Sequence, residues 1–64
     1  MVFINGKEHE YVNANLSDVL KELNYNKDTI AVEINEEIVP KATYDETVIK
    51  DGDVVEVVSF VGGG

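Results

Sequence analysis

Few groups in this chain could react, and they are scattered. There is no cysteine, and the one histidine is His9. Acyl or sulfur transfer by an enzyme needs an activated nucleophile beside a base, and no such pair stands out. His9 falls on an expected hairpin strand, where a histidine is ordinarily a solvated residue. Glu46, Asp51 and Asp53 are close in sequence, but Asp51-Gly52-Asp53 lacks the ligand spacing of a calcium loop and reads as a turn. Tyr11, Tyr25 and Tyr44 form no stacking platform, and Gly6 and Gly52 are isolated turn residues rather than a phosphate cradle. What remains is the end of the sequence, Gly62-Gly63-Gly64. Fraying or a cloning remnant would explain three glycines without any function. As a working part they would form an arm carrying one terminal carboxyl and no competing side chain. Without Cβ atoms such an arm passes through a narrow channel, and three extended residues reach at most about 10 Å. A carboxylate is a poor electrophile, so this chemistry requires activation.

The elements that must position such a group follow from pattern. Val2-Phe3-Ile4, the turn Asn5-Gly6 and a returning strand holding Tyr11-Val12 predict a hairpin. Leu16, Val19, Leu20 and Leu23 recur at i, i+3, i+4 and i+7, one stripe of a short helix. Asn15 is its expected N-cap, and Asn24 suits a left-handed end. In "TIAVEIN", Ile30, Val32 and Ile34 alternate with Ala31 and Glu33, predicting a half-buried strand. "EEIVP" gives a turn and a short edge piece ended by Pro40. "KATYDETVI" has no resolvable pattern. Asp51-Gly52 then launches the longest apolar strand, Val54 to Val61, expected in the middle of a sheet because it is apolar on both sides. One helix covers one face, so the other stays open. Either Val54, Val58 and Phe60 or Val55, Val57 and Val61 populate it.

Size and charge narrow the classes further. The chain has 64 residues, 44% of them hydrophobic, which predicts one small core without disulfide or thiolate-metal support. The expected organisation is a folded domain over 1–61 and a flexible glycine tail over 62–64. Thirteen acidic residues against five basic ones give a net charge of −8. That sign argues against nucleic acid and anionic membranes as partners and favours basic protein surfaces. No apolar run has membrane-spanning length and no signal peptide is evident, which places the chain in the cytoplasm.

In this order of elements the chain resembles the β-grasp, ubiquitin-like fold: α+β, a mixed four- to five-stranded sheet with one main helix packed on one face. More narrowly, "INGKEHEY", "NLSDVLKEL", "IAVEINEEIVPK" and "IKDGDVVEVVSFVGGG" resemble the sulfur carrier family of thiamine biosynthesis, within the wider superfamily that includes the molybdopterin carriers. The family ends in two glycines. Gly63 and Gly64 match them, and Gly62 extends the arm. The resemblance implies a carrier and not an enzyme. A partner adenylating enzyme, similar to the ubiquitin-activating class, would use ATP to activate the Gly64 carboxylate, with Gly62 and Gly63 inserted in its channel. A donor such as a cysteine desulfurase would supply sulfur, and the resulting thiocarboxylate would serve thiazole synthase. The chain itself would bind no cofactor and no metal and would be a monomer alone. A ubiquitin-like module typically docks through its open sheet face, which makes Val58 and Phe60 candidate contacts. Placement of Phe60 in the core is the equal alternative. A carrier for molybdopterin synthesis or another sulfur pathway shares the ending, and a ubiquitin-like interaction module or lysine-linked tag is the reading from another class.

Overall fold

The computed structural model describes residues 1–60, so Val61 and the three glycines lie outside it. Strands β1 (Val2–Ile4) and β2 (Lys7–His9) form the first hairpin. Asn5 and Gly6 both have positive φ, 52° and 80°, which matches the twist of a two-residue hairpin turn. The returning strand is shorter than expected. Register pairs Ile4 with Lys7 and Val2 with His9, so β1 is used up before Tyr11 and Val12 find a partner. Tyr11 instead stacks on the His9 ring, with centroids 5.4 Å apart.

Helix α1 (Leu16–Glu22) begins where Asn15 Oδ1 accepts a hydrogen bond from the Asp18 backbone N–H. It ends at Asn24, whose φ is 66°. There the Tyr25 N–H donates to the Leu20 carbonyl at 2.8 Å and the Asn24 N–H to that of Lys21 at 3.0 Å, closing the last turn. Leu16, Val19 and Leu20 are buried and Leu23 packs at the edge of the core. The stripe expected from spacing is the face that packs.

Strands β4 (Ile30–Ile34) and β5 (Glu37–Val39) make a second hairpin, and β7 (Val54–Ser59) completes the main sheet. The strand order is β2-β1-β7-β4-β5, with β7 parallel to β1 and antiparallel to its other neighbour β4. The last strand is central, as expected, and runs to Ser59; Val61, the expected last residue, lies outside the described residues. β4 starts at Ile30, opposite Ser59. Beyond that pair the Phe60 N–H still donates to the Thr29 carbonyl at 3.1 Å, where Lys27–Thr29 form a 3₁₀ turn.

The stretch without readable pattern holds a 3₁₀ segment, Lys41–Glu46, that drops Tyr44 into the core. Beyond it β6 (Val48–Ile49) pairs with β3 (Ala14–Asn15) in a separate two-stranded ladder that buries Ile49. Two-residue strands have no periodicity to read, and Asn15 serves both as a strand residue and as the helix cap. Among the described residues no helix is long and apolar enough to cross a membrane.

Candidate functional site: the open sheet face

Alternation along β7 sends Val55 and Val57 into the core beside Val32 and Ile4. It leaves Val54, Val58 and Phe60 on the face that α1 does not cover, with Val58 55% and Phe60 60% exposed. Among the described residues the outward set is therefore Val54, Val58 and Phe60, and Phe60 is not a core residue; Val61 of the other set lies outside them. Register extends this face across the sheet. Val54 pairs with Phe3 of β1, Val58 with Ala31 of β4, and Glu33 of β4 with Ile38 of β5. Ile38, 74% exposed, adds an apolar side chain to this face that the sequence reading did not select. "EEIVP" showed an edge piece but not which face of it looked outward.

Side-chain hydrogen bonds hold β7 at its start and in its second half. Asn5 Oδ1 accepts from the Val57 N–H at 2.8 Å and Asn5 Nδ2 donates to the Val57 carbonyl at 3.2 Å. This side chain thus replaces β1, whose pairing with β7 stops at Ile4. At the start of the strand Asn35 Oδ1 accepts from the Val54 N–H and its Nδ2 donates to Asp53, each at 3.0 Å. Asp53 Oδ2 accepts from the Lys50 N–H at 2.9 Å, and Gly52 sits at φ 92°. Asp51-Gly52-Asp53 is therefore a turn whose second carboxylate is occupied in holding it together. Among the described residues no group of three His, Cys, Asp or Glu could hold a metal.

The remaining candidates are structural. His9 is half-buried under Tyr11 and not simply solvated. The Tyr11 hydroxyl is held above its ordinary pKa, first by its hydrogen bond with Glu22, then by lost hydration and the Glu22 charge. Burial pushes Tyr44 upward, and the Val32 backbone acts the other way. Tyr25 Oη accepts from Asn5 Nδ2. None of these groups faces the open sheet side together with another reactive group. Val58 and Phe60 are brought together there by β7; Gly62, Gly63 and Gly64 lie outside the described residues.

One helix across a five-stranded mixed sheet, with the first and last strands parallel at its centre, defines a β-grasp, ubiquitin-like protein. The ThiS family matches residues 2–64, and the chain belongs to that family. It is 36% identical to the sulfur carrier protein ThiS of Bacillus subtilis, over an alignment covering 100% of both chains. The crystal structure of the thiamine biosynthesis protein ThiS from Geobacter metallireducens superposes with a TM-score of 0.78 at 34% identity, covering 98% of this chain and 97% of that one. The chain is also 42% identical to part of a thiazole synthase of Paramagnetospirillum magneticum. It spans 19% of that protein's length and 20% of a second thiazole synthase, from Magnetococcus marinus.

Proposed function

We infer that this chain is a sulfur carrier of thiamine biosynthesis, whose working group is the Gly64 carboxylate. The observation that carries the reading is a family match running through residue 64, with end-to-end alignment to a named carrier. In the proposed cycle a partner enzyme joins the carboxylate to AMP from ATP and releases pyrophosphate. The terminal sulfur of a desulfurase-type persulfide then displaces AMP to give an acyl disulfide. A thiol reductant cleaves the S–S bond, leaving the thiocarboxylate on Gly64 and the donor as a disulfide with the thiol. Thiazole synthase consumes that sulfur; the recurrence of related sequence within two thiazole synthases supports this partner. ATP and the catalytic groups belong to the partners, and the cycle runs in the cytoplasm. This chain supplies the carboxyl, a side-chain-free approach through Gly62 and Gly63, and a docking face. Val58 and Phe60 are the docking contacts: Val58 is exposed on β7 and Phe60 is exposed directly after it.

The test is intact-mass measurement after incubation with ATP, an adenylating enzyme of this pathway and a sulfur source. The expected product gains the mass difference of one oxygen exchanged for sulfur, on the C-terminal peptide. An unchanged mass, under conditions that convert an established carrier, would refute the reading.

A further inference from the structure

The open face is apolar along Val54, Val58, Phe60 and Ile38, yet two glutamates occupy its middle. Glu33 of β4 and Glu56 of β7 are register partners on adjacent central strands, and both alternate away from the buried Val32, Val55 and Val57. Like charges directly opposite one another weaken a sheet, so folding alone does not account for the pair. A third carboxylate stands close by. Glu36 and Glu56 line one shallow depression beside Val54, and Glu36 holds φ 70° in the β4–β5 turn, a region that residues other than glycine and asparagine avoid. The chain brings little to balance them. Of its five lysines, Lys7 pairs with Ile4 on the covered side. Lys21 is on α1, and Lys27, Lys41 and Lys50 lie outside the main sheet.

Resting on the sulfur-carrier reading, we propose that Glu33 and Glu56 are the specificity element of the docking face, receiving an arginine that the adenylating partner presents from an apolar surface. A guanidinium offers five donors in a planar fork and bridges two carboxylates where a lysine contacts one. Docking of Val54, Val58, Phe60 and Ile38 around the pair excludes water, which strengthens charge-assisted hydrogen bonds. The same pair penalises a neutral or acidic surface, which would bury two unpaired charges. A second copy of this chain, with its net charge of −8, is such a surface.

The test compares the wild-type chain with Glu33→Gln/Glu56→Gln as substrates of the adenylating enzyme, measured by ATP-dependent pyrophosphate release at low and high salt. The double variant should raise KM for the carrier about tenfold at low salt and leave kcat unchanged. Raising salt should bring the wild type toward the variant, because screening removes the same attraction. Thermal unfolding serves as the folding control, and the variant should melt no lower than the parent. An unchanged KM, or a loss indifferent to salt, overturns the proposal. Concentration-dependent dimerisation of the wild type through this face in sedimentation also overturns it. Failure of the enzyme to adenylate the wild type overturns the sulfur-carrier reading and this proposal with it.

Discussion

Phe60 keeps 60% of its surface in water just after a strand whose alternate residues Val55 and Val57 are packed, so its ring contributes little to the folded state. Phe60→Ser should change the unfolding free energy by no more than about 0.5 kcal/mol while weakening adenylation, since an exposed aromatic ring is area for a partner to bury. Melting and adenylation kinetics on the same sample check this; a large drop in Tm would return Phe60 to the core. Tyr44 is the opposite case, a phenol packed at 2% exposure and raised above its ordinary pKa by burial. The unfolded chain releases the proton near pH 10 and the folded chain only above that. Stability is therefore complete below about pH 10 and falls as pH rises from there through the folded pKa. Tyr44→Phe should flatten this alkaline decline in urea midpoints measured across the range. Tyr11, raised chiefly by Glu22, contributes a slope of the same sign that survives in the variant.

At the level of elements, α1 has seven residues, too few to persist alone in water. Its stability comes from Leu16, Val19 and Leu20 against the sheet. Leu20→Ala should therefore cost about 2–5 kcal/mol, read as a fall in the urea midpoint at constant m-value. The stripe, the cap and the left-handed end of this helix were all legible in the sequence, because each depends on residues within one or two turns. The strand ends were not. Where β2 and β7 stop depends on how far their neighbours run, and the neighbour of β7 is some 25 positions away in the register Ile34↔Val55 to Ile30↔Ser59. The β3–β6 ladder, joining Asn15 to Val48, was invisible for the same reason.

For the whole molecule, the proposed chemistry separates fold from function. Every described core residue lies between Val2 and Val57, so additions after Gly64 should not affect folding. Appending one residue there should abolish adenylation while leaving Tm unchanged, because the reacting carboxyl is displaced from the partner's catalytic groups. Pyrophosphate release together with a melting curve checks this, and normal adenylation of the extended chain would refute the mechanism.

The amino-acid sequence alone pointed to the proposed chemistry, through its resemblance to a carrier family, and showed the order of the main parts. The missing nucleophile, the glycine ending, the leucine stripe and the two Gly-containing turns are local or compositional, and local physics suffices to read them. Tertiary structure alone decided which set of β7 valines is buried and that Phe60 faces outward. It also placed Ile38 on the open sheet face and set Glu33 opposite Glu56. A strand apolar on both sides carries no mark of its inner face; only the side on which α1 packs, and the register with β4, assign one.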